Sequence, residues 1–351
     1  MAKELNPSPA GAGDPTFKLQ ASATNPAPAA GWTAALIIGA ILVGSVLGLL
    51  LPQTGALMSY SVDATLTVMI GLLFFELNLG SLARAFSNLK FLSVAWVANF
   101  LIVPVIGLAI ASLVLPSHPL VFTGLMIYFL APCTDWFLGF TRMARGDTGL
   151  GAALIPINLI SQLLLFPVWI WMLMQHTGLV DFAAIPGILA QWFLVPLFLA
   201  QVLRAALKKG MSGQSFARLL DWTGQLVPIV IAALILQLFA THVGSLTENL
   251  EMVFLIAVAV FLFFTATFML GEALSRLGKF AYEQRALLSM TMAARNAPLM
   301  LVITSAAIPD QPLILAAIVM GMLVEIPHLT MLKQLLLRQR RIAPQNASLA
   351  K

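Results

Sequence analysis

Ten apolar runs, joined by short connections that are basic at every second crossing, constrain this chain more than any other feature. The runs lie at approximately 33–51, 62–81, 92–115, 119–143, 149–175, 184–207, 223–243, 251–274, 284–307 and 312–336. A helix needs about 20 apolar residues to cross a bilayer, and each run supplies roughly that many. Of the 19 Lys and Arg, 18 fall in the N-terminal stretch (Lys3, Lys18) or after runs 2 (Arg84, Lys90), 4 (Arg142, Arg145), 6 (Arg204, Lys208, Lys209, Arg218), 8 (Arg276, Lys279, Arg285) and 10 (Lys333, Arg338, Arg340, Arg341, Lys351). The connections after runs 1, 3, 5, 7 and 9 hold none. Every loop base then lies on one face, which the positive-inside rule makes cytoplasmic. Both termini are cytoplasmic on this reading, as an even number of spans requires. The expectation is an all-α, multi-pass protein of the cell (inner) membrane, with the lipid bilayer as its partner.

Composition agrees. Only 9% of residues are charged, against about 25% in soluble domains. The basic excess is accounted for by orientation and does not point to nucleic acid. One cysteine excludes an internal disulfide and a zinc cluster of paired cysteines. No metal and no cofactor are expected. Residues 1–31, rich in Pro, Ala, Gly, Ser and Asn, read as a disordered cytoplasmic tail. They are not read as a signal peptide, because the run that follows is long enough to span and lacks a small-residue cleavage pattern. Gly44 and Gly48 form a GxxxG in the first span, a close-packing signal. No His-Glu-x-x-His pair or Gly-x-Ser-x-Gly elbow is present, and Gly210-Met211-Ser212-Gly213 reads as a turn in a basic loop. The chain is therefore not read as an enzyme.

Three charges fall near span centres: Asp135 in span 4, Arg295 in span 9 and Glu325 in span 10. Each costs about 2.5–3.5 kcal/mol there on insertion scales, so each should face protein or a wet cavity. Asp135 and Arg295 are expected to neutralise each other as an ion pair or gate. Spans 4 and 9 are both interrupted by proline beside polar residues, at Pro132-Cys133-Thr134-Asp135 and at Arg295-Asn296-Ala297-Pro298. Spans 5 and 10 match loosely, with Phe166-Pro167 against Ile326-Pro327. Five spans per half is an odd number, so the halves enter the membrane in opposite senses. Matching breaks in an inverted repeat point to a transporter site at the midplane. The expected division is a first five-helix repeat at 32–180, a second at 181–337 and a basic cytoplasmic tail at 338–351. Glu76 and Glu272, near Arg84 and Arg276, read as solvated charges at span ends, and the tryptophans, Trp136 included, as packing or interfacial anchors.

Ala131-Pro132-Cys133-Thr134 and Gly321-Met322-Leu323-Val324-Glu325-Ile326-Pro327 resemble the paired signatures of the arsenical-resistance-3 type arsenite efflux permeases, in the bile acid/arsenite/riboflavin transporter superfamily. The resemblance covers about residues 33–337. It implies ten helices in two inverted five-helix repeats, with helices 4 and 9 broken and crossing. It also implies export of arsenite, and in some members antimonite, in exchange for protons, with transport depending on Cys133 and Glu325. Asp135-Trp136 after the first signature, and Arg295-Asn296-Ala297-Pro298 in place of Asn-Asn-Phe-Glu, depart from the family and suggest a divergent branch.

The residue chemistry fits that resemblance. A soft sulfur suits trivalent arsenic, and neutral arsenous acid enters a low-dielectric site without a counter-ion. A single thiol binds loosely enough to release. Cys133, Thr134 and Asn296 are the candidate substrate residues, with Asn158 and Gln162 as further polar lining, and Pro132 and Pro298 as the breaks. Glu325 is the candidate proton carrier, since alternating access moves a carboxyl between wet and dry surroundings. His328 lies one turn on and is placed to tune it. The alternative is a sodium- or proton-coupled organic-anion carrier of the bile-acid symporter type, which an unpaired Arg295 would favour.

Overall fold

The structure is a computed structural model that describes residues 30–77, 88–134, 136–174, 187, 190–247, 250–308 and 311–349. The described residues form twelve α-helices and no strand. In order these are α1 (Ala30–Leu50), α2 (Pro52–Glu76), α3 (Leu89–Val114), α4 (Pro119–Leu130), α5 (Phe137–Met143) and α6 (Thr148–Met174). There follow α7 (Val195–Gly210), α8 (Gly213–Thr247), α9 (Leu250–Gly278), α10 (Tyr282–Ala293), α11 (Ala297–Ala307) and α12 (Pro312–Leu349). Stretches of α3, α6, α8, α9 and α12 are long and apolar enough to cross a membrane, and α1, α2 and α4 contain shorter apolar stretches. The expected division between halves at 180/181 lies outside the described residues, as does most of the 1–31 tail. Beyond residue 336, α12 continues as helix to Leu349.

The helices form two neighbouring groups. In one, α8 packs along α1 and α2, and α7 lies against α2. Gly44 and Gly48 make this possible. A Cβ on Gly44 would sit 2.5 Å from Leu236 O, and one on Gly48 would meet Val243 Cγ1 at 2.8 Å, so the backbones touch. At the end of α2, Gln201 Nε2 donates to Phe74 O (2.7 Å) and Leu77 O (3.0 Å), and Arg204 donates to Phe75 O. These bonds satisfy carbonyls that a helix end leaves without partners.

In the other group, α4 packs on α12, and α9 packs against α3, α10 and α12. A Cβ on Gly321 would sit 2.7 Å from the Tyr128 ring. The missing side chain lets the phenol lie flat on α12. Within α3 a π-helical turn at Ala98–Ile102 precedes Pro104, and Val103 N–H bonds to Ala98 O, five residues back. A second such turn at Ala190–Leu194 precedes Pro196. The wider turn makes room for a proline ring that would clash with the carbonyl four residues earlier. It also places Asn99 inward, fully buried.

Two connections face each other at the far end of α5. Arg145 and Lys279 both have positive φ (58° and 53°), turning the chain sharply after α5 and α9. Asp147 N–H donates to Glu283 O (2.9 Å) and Tyr282 OH to Ala144 O (2.9 Å), tying the two turns together. Glu272 is 8% exposed and is held by Arg285, through Nε at 2.7 Å and a second bond from Nη2. Arg285 also donates to Gln339 Oε1. The expected solvated glutamate beside Arg276 is thus a buried, bidentate pair, because the Lys279 turn folds the first turn of α10 back over α9.

Candidate functional site

Two interruptions cross near the centre of the second group. Pro132 cannot follow a helical residue comfortably, and Ala131 is extended (φ −104°, ψ 104°). Helix resumes at Phe137. In the second interruption Ala294 is extended (φ −79°, ψ 136°), and helix resumes at Ala297 with Pro298 in its first turn, where no N–H is missed. Pro132 therefore lies within its break, whereas Pro298 opens the helix after its own. The interruptions pair with each other: Cys133 N–H donates to Ala294 O (3.1 Å) and Asn296 N–H to Ala131 O (2.9 Å). Pro132 and Arg295 sit opposite one another in this antiparallel bridge. Unpaired backbone groups in an apolar medium cost several kcal/mol each, so each break supplies the partner that the other lacks.

Glu325 joins the two. Its side chain is fully buried. Oε2 accepts from Tyr128 OH at 2.7 Å, and Oε1 accepts from Trp136 Nε1 at 2.7 Å and from Arg295 N–H at 3.0 Å. The three donors come from the end of α4, from the first interruption and from the second. Trp136 was expected as a packing residue; it is a hydrogen-bond donor to the central carboxyl. Tyr128 was not foreseen. Its signal in the sequence was Gly321, one helical turn before Glu325, which clears space for the ring.

Arg295 is also fully buried. Its guanidinium donates from Nη1 to Phe129 O (3.1 Å), and from Nη2 to Asn99 Oδ1 (3.2 Å), Thr291 O (3.2 Å) and Met292 O. The Phe263 ring lies 5.6 Å from Cζ and stacks on Phe129 at 4.0 Å. Asp135, its expected partner, lies outside the described residues.

Cys133 is fully buried and in no disulfide. Its carbonyl accepts from Asn158 Nδ2 (3.3 Å). Asn296 Nδ2 donates to Thr134 Oγ1 (2.9 Å), so these two candidates bridge the breaks. His328 is not among the donors to Glu325; its ring stacks on Phe264 at 4.1 Å.

Beside the crossing, a narrow cleft with room for about one water is lined by Phe100, Leu130, Ala131, Gln162, Phe166, Trp169 and Met300. Gln162 is its polar side chain. It is 4% exposed, and neither its amide nitrogen nor its oxygen has a partner among the described residues. Trp169 Nε1 and Asn158 Oδ1 are likewise buried with no partner among those residues. Asn158 and Gln162 are one turn apart on α6, so the polar edge of the cleft continues to the Cys133 carbonyl.

Comparison with known proteins points to a transporter family. Residues 35–339 match the SBF-like CPA transporter family. The arsenical-resistance protein Acr3 of Corynebacterium glutamicum is 26% identical over 252 residues, covering 68% of this chain and 67% of that protein.

Proposed function

The chain belongs to the SBF-like CPA transporter family and is a membrane transporter, and from that premise we propose that it exports arsenite in exchange for protons across the cell membrane. The observation that carries this reading is the placement of Cys133 in the interruption that Glu325 grips through Trp136, while the same carboxyl binds the other interruption through Arg295 N–H. The likeness to a protein named for arsenical resistance supports arsenite as cargo. Ten spans are counted with α4–α5 and α10–α11 as the two broken ones and residues 184–207, which take in most of α7, as the sixth. The antiparallel bridge is what two halves of opposite sense would produce. Both termini are assigned to the cytoplasm from the loop charges.

On this reading the Cys133 thiol attacks neutral arsenous acid. One S–As bond forms, one As–O bond breaks, and the departing hydroxyl leaves as water with the thiol proton. Hydrolysis reverses the step and frees the cargo. Thr134 and Asn296 offer hydrogen bonds to the remaining hydroxyls. Coupling resides in Glu325. An ionised carboxyl accepts from three donors. A protonated one has its own O–H to place among groups that already donate, so one bond must give way. Because the donors come from both breaks, adding or removing that proton loosens or locks the crossing. The organic-anion alternative is disfavoured: the Nη atoms of Arg295 already donate to protein oxygens and the residue is fully buried.

The test uses everted vesicles carrying the wild type, Cys133→Ala or Glu325→Gln. Proton-driven arsenite uptake by the wild type, lost in both variants, is expected. A wild type that takes up no arsenite overturns the cargo, and a Cys133→Ala variant that matches the wild type removes the thiol from the mechanism.

A further inference from the structure

We infer that the crossing contains a monovalent-cation site which the protein fills with its own guanidinium, that of Arg295. Among the described residues, three of the four oxygens around Nη1 and Nη2 are orphans made by the crossing itself. In an unbroken helix Phe129 O, Thr291 O and Met292 O would accept from the N–H groups of residues 133, 295 and 296. Each of those donors is diverted: Cys133 N–H to Ala294 O, Arg295 N–H to Glu325 Oε1, and Asn296 N–H to Ala131 O. The freed carbonyls converge on the guanidinium instead.

The fourth oxygen is Asn99 Oδ1, from the π-helical turn of α3. Its orientation is fixed because Asn99 Nδ2 donates to Thr291 Oγ1 (3.3 Å). Asn99, Thr291 and Arg295 are each fully buried. The carbonyls lie at the C-terminal ends of α4 and α10, where partial negative charge gathers and a cation is favoured.

Oxygens of this kind, at the C-terminal ends of half-helices, are what a broken-helix carrier offers to a hard monovalent cation. Here Arg295 occupies them permanently, as a tethered ion. Two consequences follow. The wild type needs no sodium to hold the crossing together, and removing the side chain exposes an oxygen cage with a vacant positive charge. Neither depends on the identity of the cargo.

The experiment uses the full chain in lipid nanodiscs, as wild type, Arg295→Lys and Arg295→Ala. Thermal unfolding is followed in choline chloride, and then with added sodium chloride or a low concentration of guanidinium chloride; ²²Na⁺ binding is measured in parallel. Arg295→Ala should unfold earlier in choline, recover by about 5 °C with either cation, and bind ²²Na⁺ saturably. The wild type and Arg295→Lys should show no recovery and no saturable ²²Na⁺ binding. An Arg295→Ala protein indifferent to both cations overturns the proposal, as does saturable sodium binding by the wild type. If Arg295→Ala does not fold, Arg295→Gln is read by the same criteria.

Discussion

The contact of α1 with α8 and the crossing of the two breaks are held by different forces. Along α1 the fit is one of shape. Gly44 and Gly48 bring backbone against backbone, and the outer face, with Ile38, Leu42 and Val46 more than half exposed, is left for lipid. At the crossing the contacts are directional. Arg295, Glu325, Asn99, Asn158, Thr291 and Asn296 are all 1% exposed or less and are joined by hydrogen bonds. Close packing has one good arrangement and resists change. A hydrogen-bonded network can exchange partners when one proton is added, which is what a carrier requires. Under the proposed mechanism the first region stays and the second switches.

That contrast is broken or sharpened by substitution. Glu325→Gln preserves volume and keeps an acceptor, but removes the exchangeable proton. It should lower transport by about 100-fold or more while shifting the unfolding temperature little. Equal losses of transport and stability would remove the distinction between switching and holding. Gly48→Leu should act in the opposite way. Its side chain has no room against Val243 Cγ1, and overpacking costs about 1–3 kcal/mol or more. Unfolding should occur at lower temperature, with the KM of the surviving folded protein unchanged. Gly39→Ala, where nothing lies within 4 Å, is the matched control and should be silent. A smaller effect is expected for Trp136→Phe, which deletes one of three donors to Glu325 and keeps the ring. A hydrogen bond to a charged group is worth about 1.5–3 kcal/mol, so initial uptake rates should fall by at least about tenfold.

The helical character, the two interruptions and the burial of Glu325 and Arg295 in the protein interior were all readable as letters: prolines and charges within apolar runs. What surrounds Arg295 was not. The reading named a second charge, Asp135, which lies outside the described residues, and carbonyls could not be foreseen because sequence displays side chains alone. Among the described residues, three of the four oxygens that receive the guanidinium are main-chain atoms, freed only once the breaks pair. Asn99 was missed for a related reason, since its inward aim depends on a π-helical turn that hydropathy does not register. Glu272 was read as a solvated charge at a span end near Arg276, whereas it pairs with Arg285 across a turn whose sharpness depends on one positive φ at Lys279. Local spacing finds partners on one helix and overlooks those that a turn brings back.

The least forceful test concerns the cleft, where neither force is complete. Gln162 is buried with both ends of its amide unpaired among the described residues, a state that costs about 1–3 kcal/mol relative to a satisfied group. Where a polar group has no task, replacing it with an apolar one of similar size is neutral or stabilising. Gln162→Leu should therefore raise the unfolding temperature slightly. If the amide waits for hydroxyls of the cargo on their way to Cys133, the same substitution should raise the KM for arsenite a few-fold and leave Vmax in place. A stabilised variant with unchanged KM would class the cleft with the α1–α8 contact, as packing left imperfect, and would place the entire transport path at the crossing.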